Sequence, residues 1–361
     1  MAVESLPERR PAGEALLEVV DLATHFVIER GVVRAVDGVT LSIERGKTLG
    51  IVGESGSGKT VLSRSIMGLL PGHNVRRSGQ VLFEGQDLTK LSARDLRDIW
   101  GAEIAIVFQD PMTSLNPVVK IGRQITESLD HLKVDHDTAV EDAVALLASV
   151  GIPEPRARID EYPHQLSGGM RQRVTIAIAL ACGPKLLLAD EPTTALDVTV
   201  QAQILDLLGA KQRERFMAMI LVTHDLGVVA GRTDEIVVMY AGKVVEKAPT
   251  YELFTDMKMP YTEALMASIP RVEHHSHTRL RAIAGRPPDL VNPPPGCRFA
   301  PRCPYAQPRC LTEEPPLIPA PTPGHVYRCW YPVGTPEGRD AFERNLAEGR
   351  PQTVAAAQAD L

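Results

Sequence analysis

Leu49-Gly50-Ile51-Val52-Gly53-Glu54-Ser55-Gly56-Ser57-Gly58-Lys59-Thr60 is the stretch that decides the fold. Leu49–Val52 has the character of a buried strand, a glycine-rich turn follows, and a helical pattern continues to about Leu70. The turn fits G-x-x-x-x-G-K-[ST]. Between a strand and a helix, such a turn aims backbone N–H groups and a helix N-terminus at bound phosphate. Its glycines let the backbone wrap closely, Lys59 pairs with β- and γ-phosphates, and the Thr60 hydroxyl ligates Mg²⁺. Residues Gly53, Glu54, Ser55, Gly56, Ser57, Gly58, Lys59 and Thr60 are therefore expected to bind a nucleotide. What happens to that nucleotide depends on the rest of the site.

Outward from the loop, about Ala15 to Ala248 reads as alternating strands and helices. Short β-branched runs come first, at Leu17–Leu22, Val32–Val36 and Val39–Ile43. Helical patterns run through Ala93–Trp100, Ile121–Leu132 and Ala139–Val150. Strands are expected at Ile104–Phe108, Leu186–Ala189 and Ala218–Val222. Ile236–Tyr240 and Val244–Glu246 flank a hairpin turn. Leu186-Leu187-Leu188-Ala189-Asp190-Glu191-Pro192 is an apolar strand ending in two acids. Asp190 at its carboxyl end can hold Mg²⁺ through water, and Glu191 is placed to polarise an attacking water.

Leu166-Ser167-Gly168-Gly169-Met170-Arg171-Gln172-Arg173 supplies a Ser, two glycines and an ensuing helix, a second anion cradle. This run resembles the signature sequence of ATP-binding-cassette (ABC) ATPases. The resemblance spans about Leu17 to Ala248 and implies an α/β fold. That fold is an ABC-type P-loop ATPase core with an antiparallel β subdomain and an inserted helical subdomain. It implies that Ser167, Gly168, Gly169 and Gln172 face the γ-phosphate held by an opposing cassette. Gln109, in Phe108-Gln109-Asp110-Pro111, resembles the Q-loop glutamine, a further Mg²⁺ and water contact beside Thr60 and Asp190. Asp197, in Ala195-Leu196-Asp197, resembles the D-loop aspartate; His224, in Val222-Thr223-His224-Asp225, resembles the switch histidine. Catalysis is then expected from Glu191, His224 and Gln109. Phe26 is the candidate adenine shelf, with a core Phe on a strand as the other reading.

Beyond about Thr250 prolines crowd in and periodicity fades. Pro260-Tyr261-Thr262, Ala284-Gly285-Arg286-Pro287-Pro288-Asp289-Leu290 and Gly296-Cys297-Arg298-Phe299-Ala300-Pro301-Arg302-Cys303-Pro304 resemble the C-terminal extension of the oligopeptide/dipeptide branch, with Met259 where that branch carries His. In that branch the cysteines corresponding to Cys297, Cys303, Cys310 and Cys329 resemble ligands of a [4Fe–4S] cluster. The residues themselves leave Zn²⁺ and unligated thiols open, although no pair has the two-to-four-residue gap usual at zinc sites. Arg298, Arg302, Arg309 and Arg328 each adjoin one of them in sequence, positioned to offset thiolate charge. Cys182 is expected as buried packing on a core helix.

The domain reading is a flexible N-terminus at 1–14, a nucleotide-binding domain at 15–250 with a helical arm at about 86–170, a small irregular Cys-rich extension at 251–335, and a mobile tail at 336–361. Of 361 residues, 39 are basic and 45 acidic, which argues against a nucleic-acid partner. No run has the roughly 20 apolar residues of a membrane span, and the N-terminus lacks a signal peptide's apolar segment. The expected role is hydrolysis of Mg²⁺-ATP at the cytoplasmic face of the membrane. Dimer closure with a second, non-identical ATPase subunit would drive uptake of di- or oligopeptides. The expected partners are two membrane permease subunits and an extracytoplasmic solute-binding protein. The alternatives are a nickel chelate or another small solute, and more distantly a soluble ABC ATPase acting on DNA or ribosomes.

Overall fold

The computed structural model describes residues 14–70, 72–194, 196–269 and 283–349. The N-terminal residues 1–13, Ala195 of the D-loop motif and the last part of the tail, 350–361, lie outside them.

Two sheets carry the molecule. β1 (Ala15–Ile28) and β2 (Gly31–Glu44) pair antiparallel. The two short strands expected at 32–36 and 39–43 are one strand. Its pairing with β1 slips at Asp21 and again near Gly38, where φ values of 47° and 75° absorb one extra residue on each side. β3 (Thr48–Val52) then leaves for the second sheet, while β4 (Val75–Phe83) and β5 (Gln86–Asp87) complete the first in the order β2-β1-β4-β5. β4 was not anticipated. Its first half, Val75-Arg76-Arg77-Ser78-Gly79, has no apolar alternation, and pairing with β1 is what makes it a strand.

The second sheet adds β6 (Ile104–Val107), β7 (Leu186–Asp190), β8 (Ala218–Thr223), β9 (Glu235–Tyr240), β10 (Lys243–Pro249), β11 (Ile318–Pro319) and β12 (Val326–Tyr327). Among the described residues its order is β11-β12-β10-β9-β3-β8-β7-β6. β3, β6, β7, β8 and β9 run parallel, and every residue of β3, β7 and β8 is buried. Unbroken apolar strands are what a sheet covered on both faces requires. β9 and β10 form the expected hairpin, closed by Ala241 and Gly242 at φ 47° and 85°.

α1 (Lys59–Ile66) follows β3, and α2 (Ala93–Ile99) buries Leu96 in the apolar core shared by the two sheets. The helical insertion is α3 (Pro111–Ser114), α4 (Ile121–Ser128), α5 (His136–Ser149) and α6 (Pro155–Arg158). The arm expected at about 86–170 therefore begins later, because β5, α2 and β6 belong to the sheets and their core. α7 (Gly168–Leu180) returns to the large sheet, and α8 (Val198–Arg215) and α9 (Leu226–Val229) follow β7 and β8. Cys182 lies just past the end of α7, half-buried, its thiol donating to the Ser128 carbonyl at 3.0 Å. It is not inside a helix.

The extension opens with α10 (Thr250–Thr255) and α11 (Pro260–Ala267) and contains α12 (Pro308–Thr312). β12 pairs with the edge strand β10, so the extension continues the ATPase sheet. The tail expected to be mobile from 336 instead begins with α13 (Pro336–Ala347). Its face is mostly polar, which hid it. Asn345 holds it down, donating to the carbonyls of Pro304 at 2.7 Å and Ala306 at 2.9 Å and accepting from Gln307 at 3.1 Å.

Candidate functional site

Gly53 and Gly58 explain why the loop is glycine-rich. Each has positive φ (155° and 103°), and a Cβ on either would lie 2.2 Å from a backbone carbonyl oxygen, of Met239 and Ala35 respectively. The loop is therefore wedged between β9 and β2. Lys59 opens α1 with its side chain folded back, Nζ donating to the carbonyls of Gly53 at 2.8 Å and Glu54 at 3.1 Å. Burial holds its pKa below the ordinary lysine value. Ser57 Oγ is buried without a hydrogen-bond partner, and β-hairpin residue Gly242 donates its N–H to the Ser57 carbonyl at 2.9 Å. An orphaned hydroxyl and a coiled ammonium fit an anionic ligand.

Thr60 donates to Asp190 Oδ1 at 3.0 Å, joining the loop to the end of β7. Asp190 Oδ2 is buried and unpartnered, and burial, with the Glu191 charge adding to it, raises this carboxyl's pKa. A buried, half-satisfied carboxylate beside a threonine hydroxyl is the donor set of a hard cation.

Glu191 is the hub. Its Oε2 accepts from Gln109 Nε2 at 3.2 Å and from Thr194 Oγ1 at 3.0 Å, and lies 3.2 Å from His224 Nδ1. Its Oε1 lies 3.8 Å from Lys59 Nζ. Residues brought by β6, β7, β8 and α1 thus converge on one carboxylate. Of these, Thr194 was missed, although it lies three residues after Glu191.

Ser167 and Asp197 each cap a helix. Ser167 Oγ accepts from the Met170 N–H at 3.3 Å, and Asp197 Oδ1 from the Val200 N–H at 2.9 Å. A Cβ on Gly169 would meet Val200 at 2.8 Å, so this glycine is set by close packing of α7 on α8. The Gln172 amide nitrogen is buried without a partner. Among the described residues no hydrogen bond links Ser167, Gly168, Gly169 or Gln172 to loop 53–60 of the same chain. Phe26 is half-exposed on β1, opposite Val33 and Val75, and no ring contact or hydrogen bond ties it to the loop. The Glu54 carboxylate is paired with Arg302, and the Glu54 N–H donates to the Tyr261 hydroxyl.

Comparison with known families matches residues 36–194 to the ABC transporter model and residues 245–310 to the C-terminal region of oligopeptide/dipeptide transporters. The chain belongs to the ABC transporter family, in its oligopeptide/dipeptide branch. This cassette is 50% identical over 342 residues to the oligopeptide transport ATP-binding protein OppD of Bacillus subtilis (strain 168), covering 92% of this chain and 95% of the relative. It is 48% identical over 320 residues to the dipeptide transport ATP-binding protein DppD of Escherichia coli (strain K12), covering 88% and 97%. A dimeric, post-hydrolysis structure of the cassette MJ0796 with ADP and Pi superposes with a TM-score of 0.58 at 27% identity, over 65% of this chain and 98% of that one. ATP and Mg²⁺ are the ligands that such cassettes take, and the buried donors above fit them.

In the cassette's extension, Cys297, Cys303, Cys310 and Cys329 line one small cavity with Met259, Tyr305 and Trp330, and no disulfide joins them. Burial pushes the Cys297 thiol up to about 11 and those of Cys303 and Cys329 well above their ordinary value. The Ala300 N–H donates to the Cys297 carbonyl at 3.0 Å, and the Cys297 N–H to the Cys310 carbonyl at 2.8 Å, so backbone bonds tie this turn together. Four thiols converging on one cavity are the donor set of a thiolate-bound centre. Of the four neighbouring arginines, Arg309 acts on the Cys310 thiol, its charge opposing the upward shift that burial causes, while the others are engaged elsewhere. Arg298 and Arg302 reach Asp37 and Glu54, Arg328 bonds the Val244 and Pro315 carbonyls, and Arg309 lies 3.6 Å above the Trp330 ring.

Proposed function

We propose that this chain is the ATP-hydrolysing subunit of an importer for di- or oligopeptides, working at the cytoplasmic face of the membrane. The observation that carries the reading is the meeting of Gln109, Thr194, Lys59 and His224 on the Glu191 carboxylate, beside the Thr60–Asp190 pair. Loop 53–60 takes the phosphates of ATP, and Thr60, Asp190 and Gln109 take Mg²⁺. Glu191 accepts a proton from the attacking water as oxygen bonds to the γ-phosphorus and ADP departs. His224 contacts the γ-phosphoryl oxygens, and Gln109 orients the water. Phe26 stays the proposed adenine shelf.

The cradle at Ser167, Gly168, Gly169 and Gln172 serves the nucleotide of a second cassette, with Asp197 reaching across the same junction. Val198, 83% exposed beside Asp197, supports a partner surface there. Met112 and Val118 are exposed close to the Q-loop, which supports docking of permease subunits on this side. No described helix is long and apolar enough to cross a membrane; translocation is assigned in this proposal to those permeases. An extracytoplasmic binding protein would choose the peptide. The substrate reading rests on the relatives, which are named for peptide transport over most of their length.

The four cysteines are proposed to hold a [4Fe–4S] cluster, with Zn²⁺ as the alternative. Either would supply cross-linking of the extension, so that binding energy becomes folding energy. Metal analysis of anaerobically purified protein separates iron from zinc. For the ATPase, Glu191→Gln is the test. Turnover should fall at least about 10²-fold while ATP binding persists; a variant that hydrolyses at the wild-type rate removes Glu191 from its role.

A further inference from the structure

We propose that the C-terminal extension is a clamp on the phosphate loop, with Arg302 as its positioning residue, so that nucleotide affinity depends on the extension. An acidic side chain at the second position of a loop built for polyphosphate is electrostatically adverse. Left free, the Glu54 carboxylate would repel the ligand that Lys59 attracts. Arg302 removes that conflict. It comes from the far end of the chain, its side chain is 3% exposed, and its fork binds Glu54 at 2.6 and 3.0 Å. Its remaining donors reach the Tyr240 hydroxyl at 3.2 Å, the Ala284 carbonyl at 2.9 Å and the Ile283 carbonyl at 3.1 Å. All five guanidinium N–H groups are thus used, which fixes the fork in one orientation.

The same loop residue is held a second time. The Glu54 N–H donates to the Tyr261 hydroxyl at 2.8 Å, and Tyr261 is fully buried among Tyr240 and Phe299, with ring centroids 4.5 and 5.3 Å away. The Glu54 carbonyl in turn accepts from Lys59 Nζ at 3.1 Å, so its orientation bears on the phosphate-binding ammonium. A second arm reaches the other end of the loop. Arg298 binds Asp37 and the Ala241 carbonyl, in the hairpin turn whose Gly242 donates to Ser57. Arg302 and Arg298 each adjoin a cysteine in sequence. The extension that the cysteines gather is therefore the one that grips the loop.

The proposal rests on the assignment of loop 53–60 to nucleotide and not on what the cysteines hold. It is tested by equilibrium titration of the purified full chain with a fluorescent trinitrophenyl-ATP, together with steady-state ATPase rates. Arg302→Met should weaken nucleotide binding about tenfold or more and raise KM with little change in kcat. Adding Glu54→Gln should restore affinity to within about threefold of the Glu54→Gln single variant, because the repelling charge has gone. Arg302→Lys, which keeps the charge but loses the fork, should fall between. If Arg302→Met does not fold, Arg302→Lys with and without Glu54→Gln is judged by the same criteria. Wild-type affinity in the arginine variant, or a double variant as weak as that variant alone, overturns the clamp. A wild-type chain that fails to bind the probe would instead sink the nucleotide-site reading itself.

Discussion

Glu191 sits at φ 47°, a left-handed conformation that a non-glycine residue keeps only when its surroundings over-determine it. Here its N–H donates to the Val222 carbonyl at 3.0 Å, and its carboxylate is held from three sides. The strain lies next to Asp190, where burial already opposes charge. That pairing suggests a direct trade of stability for function. Because the folded protein binds the Asp190 proton more tightly than the unfolded chain, the ionised carboxylate costs stability at neutral pH. The cost fades as pH falls through the raised pKa. Asp190→Asn should therefore stabilise the nucleotide-free chain by about 1 kcal/mol at neutral pH, less in acid, while Mg²⁺-dependent hydrolysis is lost. Thermal unfolding across pH checks it, and a variant less stable than wild type at neutral pH would contradict it.

At the scale of elements, β12 and β10 are joined through a buried polar contact. His325 and Glu246 are both fully buried, with Nε2 2.8 Å from the carboxylate, which also accepts the N–H groups of Lys258 at 2.6 Å and Met259 at 3.1 Å. His325→Ala leaves that carboxylate short of a partner and should cost about 3 kcal/mol in urea unfolding. A loss under about 1 kcal/mol would show that this contact does not pin the extension to the sheet. Which elements were legible in the sequence follows from range. The phosphate loop, the acidic strand end, the signature turn and the β9–β10 hairpin each carry their physics within about ten contiguous residues. β4 and the polar helix α13 do not, because each is fixed by what it packs against. The Arg302–Glu54 fork was illegible for the same reason: both residues lay inside recognised motifs, yet nothing local pairs residues 248 positions apart.

For the whole molecule, the extension and the ATPase core are one structure. The large sheet runs without a break from β6 at one edge to β11 at the other. Among the described residues the turn at Ser167 caps α7 and makes no hydrogen bond to loop 53–60 of its own chain. We propose that ATP bridges this turn and the phosphate loop of a second cassette. The direct measurement is a structure of the assembled transporter carrying Glu191→Gln and trapped with Mg²⁺-ATP. We predict Ser167 of this chain within hydrogen-bond reach of the γ-phosphate held by the second cassette. A closed, nucleotide-filled assembly in which that turn touches no phosphate would contradict the account.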